Sequence, residues 1–566
     1  MQRVLALAAA LVVLAPPAVA LAFIYAYGVN AAHWDHLLTA ELFDQYYRGT
    51  LGADLLLRPH LEHVKLFPRL MTLALGVASR FNNLVEMYAQ WTLLCLTAVT
   101  LYGVLRRTTA LAGWRLTACF TPIALLLFTP RQHEALLVGD GMIAYLCIVS
   151  AVTALALLQR EHIAGVVAAG AAAFVASFSH ANGFLLWPIG ALVLIAGVAP
   201  AGRRRAAMAA VWLAIAGGAI LLYVLHWPDT AGANLSYATA NPGKTAAFAI
   251  AAGGTPFGQA PRIQVAFGWC ALAIEALALT GAIAARLRGV RLPFGTWLIL
   301  FALGMQALIA VGRTGEDVGL GVPSRYAIFL GLGMMGAYMA ALELRVSARR
   351  EARWLAAAAA MVILAGSVTG YREGLRSGPM QRDARLMVEQ VLRSVPQQTD
   401  ETVGAMLYPF PAHGRLYVAA LEKWRLNVFA HPLRGVEGLR QDPAPPTSYV
   451  DHVNFQPVKP GVAVPFAAGR TIIISGWAFD ERTSRPFASG YVRIDPTGTR
   501  IPIAYGLARP DVAASYRLRY RVNVGYAVTF SSDVLAPGAN TVTLELIAAE
   551  GDRVVTTPPL AILTRQ

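Results

Sequence analysis

Between Val29 and Leu70 the sequence gathers side chains that can move a proton or hold an ion: His33, Trp34, Asp35, His36, Glu41, Asp44, Asp54, His60, Glu62 and His63. The residues around this stretch are mostly Ala, Leu, Val and Gly. A carboxylate within reach of a hydroxyl serves as a general base, and an imidazole exchanges protons near neutral pH. An apolar chain has little use for so many ionisable groups unless they meet water and a polar substrate, so this loop reads as the chemical site. Asp35 reads as a catalytic base or as the cap of a helix beginning near Leu37. Glu62 with His63 reads as a second base, a pair of metal ligands or a surface ion-pair group. His33, His36, His60 and His63 have ligand chemistry, but no HExxH or similar spacing occurs, and no metal is assigned.

Further polar clusters interrupt the apolar sequence: RQHE at 131–134 with Asp140 beyond it, SHAN at 179–182, the long loop 227–262, and GRTGED at 312–317 followed by Ser324-Arg325-Tyr326. The substrate-binding candidates are His33, His36, His63, Gln132, Glu134, His180, Asn182, Arg313, Arg325 and Tyr326. Each has a structural alternative. Gln132 and Glu134 precede an apolar run and could cap it, and His180 and Asn182 could satisfy a tight turn. Arg313 and Arg325 could be anchors that snorkel at helix ends. Glu275 stands mid-way along an apolar run, where a charge costs about 3 kcal/mol in a bilayer. It must be neutral, face the interior or meet a partner such as Gln306, and a proton or ion pathway is its functional reading. Trp34, Tyr46 and Tyr47 suit sugar stacking, but interfacial helices carry such residues anyway.

These groups must be positioned by membrane helices. Of 566 residues, 56% are hydrophobic and 14% charged, against about 25% charged in an ordinary globular domain. Apolar runs near the length a bilayer demands, about twenty residues, recur at 4–27, 84–105, 111–129, 136–158, 162–178, 183–198, 206–226, 263–285, 293–312, 325–345 and 354–370. The first reads as an uncleaved anchor, though it opens like a signal peptide; cleavage near Ala20 would leave the next loop outside. Phe67 to Ser79 reads as a short amphipathic interfacial helix. One set of alternate loops holds Arg106, Arg107 and Arg115, then Arg160, Arg203 to Arg205, Arg286, Arg288, Arg291, Arg349, Arg350 and Arg353. The other set holds few basic residues. Positive-inside bias places the first set in the cytoplasm, the N-terminus inside and the tail outside. The net charge of +15 is therefore a topology signal. With no zinc-ribbon or helix-turn-helix stretch, nucleic acid is not an expected partner. Cys95, Cys119, Cys147 and Cys270 all lie in apolar runs and read as packing residues.

The expected architecture is an all-α polytopic bundle of about eleven spans over 1–370, with a first external loop at 28–83. A soluble, partly helical connector follows at 371–448, with helical spacing from Met380 to Leu392 and a Pro-rich linker at 441–448. Short β-rich runs separated by Gly, Pro, Asp and Asn then predict an antiparallel β-sandwich over 449–566, outside the membrane. Trp477 and Tyr491 make that domain a candidate for glycan contact, set against a role as lid or docking module.

In layout, residues 1–370 resemble the GT-C superfamily of membrane glycosyltransferases: an anchor span, a large first external loop, and a carboxylate near the start of that loop, here Asp35 in HWDH. Members often carry paired acids there, whereas Asp35 stands between Trp34 and His36. Glu62-His63, Gln132-x-Glu134, SHANGFLLWP and the GR-TG…SRY pattern are also similar to a group of bacterial multi-span proteins. The resemblance implies an inner-membrane enzyme that moves a sugar from a polyprenyl-phosphate carrier to a periplasmic lipid or glycan acceptor. Asp35 would be its catalytic carboxylate; the residues themselves offer Glu62 as a second base and Arg313 and Arg325 to hold the leaving phosphate, because guanidinium forks match phosphate oxygens. No other cofactor is implied, and no Rossmann or P-loop motif is present. Two rivals predict other things. A transporter or flippase of a lipid-linked glycan would use Glu275 and show an inverted repeat; none is visible. A non-catalytic envelope scaffold would tolerate replacement of the loop acids.

Overall fold

The computed structural model describes all residues except 197–201, 228–232, 316–320, 345–349, 459–461 and 519–521. Glu316 and Asp317 of the GRTGED loop, and Arg349, lie outside the described residues. The chain divides into two compact units. One comprises Met1–Gly28, Gly52–Ala74 and Val85–Gly378; the other comprises Val29–Leu51, Leu75–Leu84 and Pro379–Gln566.

The first unit is helical, and a helix stands at each of the eleven expected positions. Among the described residues, eight helices are long and apolar enough to cross a membrane: Gln2–Tyr27, Asn83–Thr108, Gly139–Leu158, Arg203–Val224, Pro261–Arg286, Phe294–Arg313, Ser324–Leu344 and Arg350–Arg393. The helices at Gly113–Leu127, Ile163–Ser177 and Ala181–Ala196 are shorter. The helix Gln2–Tyr27 runs unbroken through Pro16 and Pro17, and the Trp91 indole donates to the Pro17 carbonyl at 2.9 Å. Phe294–Arg313 and Ala327–Leu344 cross at glycines: a Cβ at Gly295 would lie 2.1 Å from the Gly336 carbonyl oxygen. In an apolar medium such close backbone approach supplies the packing that the hydrophobic effect cannot.

Two expectations for this unit change. The long loop 227–262 holds two helices, Ala233–Ala240 and Pro242–Gly253. The second buries Phe248, Ala251 and Ala252 against Ile309, Ala310, Tyr326 and Leu330. The expected break between the last span and the connector is also missing, because one helix runs from Arg350 to Arg393 through Pro379. Two glycines inside this helix sit at close contacts. A Cβ at Gly374 would meet the Pro130 carbonyl carbon at 2.4 Å, and one at Gly378 the Tyr27 ring at 2.4 Å.

The second unit joins the start of the first loop to the C-terminal region. Asn427 is its knot: the side chain accepts from the Ala32 amide at 3.1 Å and donates to Asn30 Oδ1, the Phe81 carbonyl and Asn83 Oδ1 at 2.9, 2.9 and 3.0 Å. Trp424 donates to Asp44 at 2.8 Å and stacks on Tyr47, so Tyr47 packs against protein. The β-rich region forms two sheets around one core. The first has the order 504–508, 523–531, 471–479, 447–453, 456–457. In the second, strand 538–547 pairs with 489–495 on one side and with 553–556 and 561–565 on the other. Alternate residues of 471–479 and 489–495 point inward, and Ile472, Ile474, Val492, Ile494, Val528, Phe530, Leu544 and Leu546 fill the space between. The pairing is mostly antiparallel, but Arg440–Asp442 and Ala463–Phe466 add as parallel edges. The sheet thus recruits residues from 440 onward, including part of the expected linker. Tyr491 lies on the second sheet and donates to the Arg434 carbonyl at 3.0 Å, apart from Trp477 on the first.

Candidate active site

The helical unit brings Glu62, His63, His180, Arg313 and Tyr326 together from four distant segments. Pro59–His60 and His63–Val64 form a minimal antiparallel hairpin with Leu61 at φ 50°, which presents Glu62 at its turn. Tyr223 holds that turn by donating to the Glu62 carbonyl at 2.5 Å. The Glu62 carboxylate, 40% exposed, meets Arg313 Nη2 at 3.4 Å and His63 Nε2 at 3.7 Å. Arg313, in the last turn of its helix, donates from Nε to the Tyr326 hydroxyl at 3.0 Å.

The imidazoles are fixed by their backbone partners. The His63 Nδ1 accepts from the Ala181 amide at 3.2 Å, which puts the ring proton of neutral His63 on Nε2, toward Glu62. The His180 Nδ1 accepts from the Asn182 amide at 3.2 Å, and its ring packs on His63 at 4.3 Å and Phe329 at 5.0 Å. Burial, first of all, holds His180 well below the ordinary imidazole range. His63, Lys65 and Arg313 push the same way, and Glu62 opposes them. His180 is therefore neutral at pH 7. It also serves the turn that the sequence offered as its alternative role, and Asn182 contributes its backbone there.

A second carboxylate–cation pair borders the first. Glu134 accepts from the Arg325 amide at 3.1 Å and meets its guanidinium at 3.9 Å, while the Glu134 amide donates to Ser324 Oγ at 3.1 Å. Arg325 also lies over the Tyr326 ring at 5.1 Å, so the turn Ser324–Tyr326 serves both pairs. Gln132 is fully buried, donating to the Leu127 carbonyl at 2.9 Å and accepting from Tyr145 at 3.1 Å. It ties the end of the preceding helix and makes no side-chain cap on the helix that follows. Glu275 is buried against Gly333, and Gln306 donates to the Ala249 carbonyl at 2.6 Å, so the two do not pair.

Three residues escaped the sequence reading of the site. Lys65, 7% exposed, pairs with Asp140 at 3.4 Å. Its signal was the rarity of lysine in this chain and its place two residues after His63. Tyr223 had no local signal. Arg131 is 1% exposed, and its guanidinium makes no hydrogen bond among the described residues.

Asp35, His33 and His36 belong to the other unit. They sit in and beside a 3-10 turn, Trp34–His36, pinned by Trp34 at φ 52° and by its amide, which donates to the Leu407 carbonyl at 2.6 Å. The helix Thr39–Arg48 starts at Leu38 without a side-chain cap, so Asp35 does not cap it. Asp35 is half-buried, whereas His33 and His36 are 7% and 2% exposed, His36 against Phe81 at 5.0 Å. Burial, then Arg385 and His36, holds His33 well below the ordinary imidazole range, with Asp35 opposing.

Among the described residues, no three His, Cys, Asp or Glu side chains are grouped to hold a metal ion. A cavity of about 640 Å³ lined by Leu277, Gly281, Leu344, Trp354 and Leu355 contains none of the cluster. At other helix ends the arginine-rich loops meet one another: Arg291 donates to the Gln159 carbonyl at 2.7 Å and pairs with Glu161 at 3.1 Å, and Arg204 reaches the Glu161 carbonyl. The cluster offers a solvent-reaching carboxylate, a neutral imidazole donor and two partly exposed guanidinium groups, a set suited to proton removal beside a bound phosphate. No family model, no curated protein and no solved structure matches the chain.

Proposed function

We propose that this chain is a membrane glycosyltransferase that uses a polyprenyl-phosphate sugar, with eleven spans, a cytoplasmic N-terminus and the β-rich domain outside. The observation that carries the reading is the convergence of Glu62, His63, His180, Arg313 and Tyr326 at the ends of apolar helices. A separate set of arginine-rich loops meets elsewhere in the same unit, which is the sorting that positive-inside topology requires. In the proposed step, the lipid phosphate engages Arg313 and Arg325 and draws the Arg313 guanidinium off Glu62. An acceptor hydroxyl then attacks the anomeric carbon and its proton passes to the Glu62 carboxylate. The bond from that carbon to the phosphate oxygen breaks, the oxygen takes the bonding pair, and the two guanidinium groups offset the negative charge that the departing phosphate gains. Asp35 is the alternative base.

Transfer from a radiolabelled polyprenyl-phosphate sugar, assayed with purified chain in lipid, tests this reading. Glu62→Gln and Arg313→Ala are expected to lose at least 100-fold, the scale on which removing a general base or a transition-state cation acts. Full activity in both Glu62→Gln and Asp35→Asn refutes the catalytic assignment. Cysteine labelling from outside intact cells at Thr50 and Gly315, both exposed, with Gly202 protected, tests the orientation.

A further inference from the structure

The outer face of the 447–453, 471–479 and 523–531 strands carries a feature that a transfer site does not require. Tyr449 and Trp477 stand directly opposite each other on neighbouring strands, and Gly525 continues the same row on the next. The Tyr449 and Trp477 rings are nearly parallel, 27° apart, with centroids 6.3 Å apart. Tyr516 closes one end, 5.2 Å from Trp477, and together with the helix Pro510–Ser515 covers Phe479 beneath. Tyr449 and Tyr516 are 49% and 48% exposed, so the rings form an open shelf.

Beside the shelf runs a polar rim. Arg509 crosses Gly525, where a Cβ would meet its Cγ at 2.9 Å. Its Nη1 donates to Asp451, and its Nε and Nη2 donate to the two Asp511 oxygens at 2.9 and 2.7 Å. Two carboxylates around one guanidinium give a rim rich in acceptor oxygens, which suits hydroxyl donors. The same carboxylates make a lipid contact costly. Flat, rigid rings offer apolar area at little entropic cost, and a pyranose has an apolar C–H face with hydroxyls at its edge. A shelf two rings long with acceptors along one side matches that ligand.

We propose that this face binds a neutral glycan chain, with successive sugar rings on Tyr449 and Trp477 and hydroxyls donating to Asp451 and Asp511. The proposal is independent of the transfer chemistry assigned to Glu62, because its readout is binding alone. Titration calorimetry on the full chain in nanodiscs, with cellohexaose, maltohexaose and chitohexaose as neutral probes and hexagalacturonate as the anionic one, tests it. At least one neutral probe is expected to bind with Kd between about 10 μM and 1 mM. Trp477→Ala and Tyr449→Ala should each weaken that binding tenfold or more. Because Trp477 is partly buried, exposed Tyr449→Ala is the deciding variant should the other fail to fold. Phe455→Ala, on an exposed ring outside the row, should leave binding unchanged. Absence of binding by all three neutral probes at about 10 mM, tighter binding of hexagalacturonate, or a Tyr449→Ala variant that binds as the parent does, overturns the proposal and leaves the shelf to a protein or lipid partner.

Discussion

Replacing Asn427 should loosen the segment that carries His33, Asp35 and His36 without touching those residues. Asn427 is fully buried, its backbone is left-handed at φ 53°, and its amide donates to the Arg80 carbonyl at 2.8 Å. Asparagine tolerates that conformation, and alanine there costs about 1 kcal/mol. Alanine also removes the acceptor of the Ala32 amide and the donor to the Phe81 carbonyl. Each buried group left unpaired costs about 1–3 kcal/mol. The Asn30 and Asn83 amides also lose a partner, although Asn83 N–H still reaches Asn30 Oδ1 at 2.9 Å. The sum is about 3–7 kcal/mol, or roughly a 10²- to 10⁵-fold rise in local opening at about 1.4 kcal/mol per tenfold. Amide hydrogen exchange of peptides spanning 29–37 and 80–84 reads this directly in the full chain. Asn427→Asp keeps the shape and the acceptor but turns a carboxylate toward three oxygens, so it should open these peptides at least as much. Asn427→Gly should recover about 1 kcal/mol relative to alanine, since it relieves only the backbone. Exchange within threefold of the parent in both the alanine and aspartate variants would falsify the account.

Acid should destabilise both units. His33 and His180 are held neutral by burial, so the unfolded chain binds more protons than the folded one once the pH drops below about 6.5. Their contribution is present above that pH and is lost as pH falls toward the depressed folded values, by about 1.4 kcal/mol per pH unit for each group. His180→Gln and His33→Gln should each flatten the pH dependence of the thermal unfolding midpoint between pH 6.5 and 5; an unchanged slope in both refutes the link. A methyl group at Gly333 would lie 2.2 Å from Glu275 Oε1. Gly333→Ala should therefore cost about 1–3 kcal/mol of overpacking and lower the folded yield by size-exclusion chromatography. Glu275→Ala in the same chain should restore the yield, and strict additivity of the two substitutions would sink the contact.

The apolar run lengths determined that this chain has helices at eleven positions, because a run of one character over many residues needs no partner to be read. Alternation did the same for strands such as 471–479 and 489–495, whose inward residues are those that fill the core. The polar clusters were visible for a related reason: Glu62, His63, Glu134 and His180 are rare types in an apolar chain, and Arg313 and Arg325 stand in the set of loops that holds few basic residues. Their meeting partners were not visible. Glu62 and Arg313 are 251 residues apart, and Tyr223 joins them through a backbone carbonyl that no side-chain pattern marks. The fate of the first loop was equally hidden, since only long-range bonds such as Ala32 to Asn427 assign 29–51 to one unit and leave 52–74 in the other. The end of the last span was hidden in the same way: the apolar run stops at 370, yet the helix continues to Arg393, with Gly374 packed against Pro130 and Gly378 against Tyr27. Local sequence records how much of each residue is buried, whereas the identity of what buries it is a property of contacts between distant segments, which only the folded chain decides.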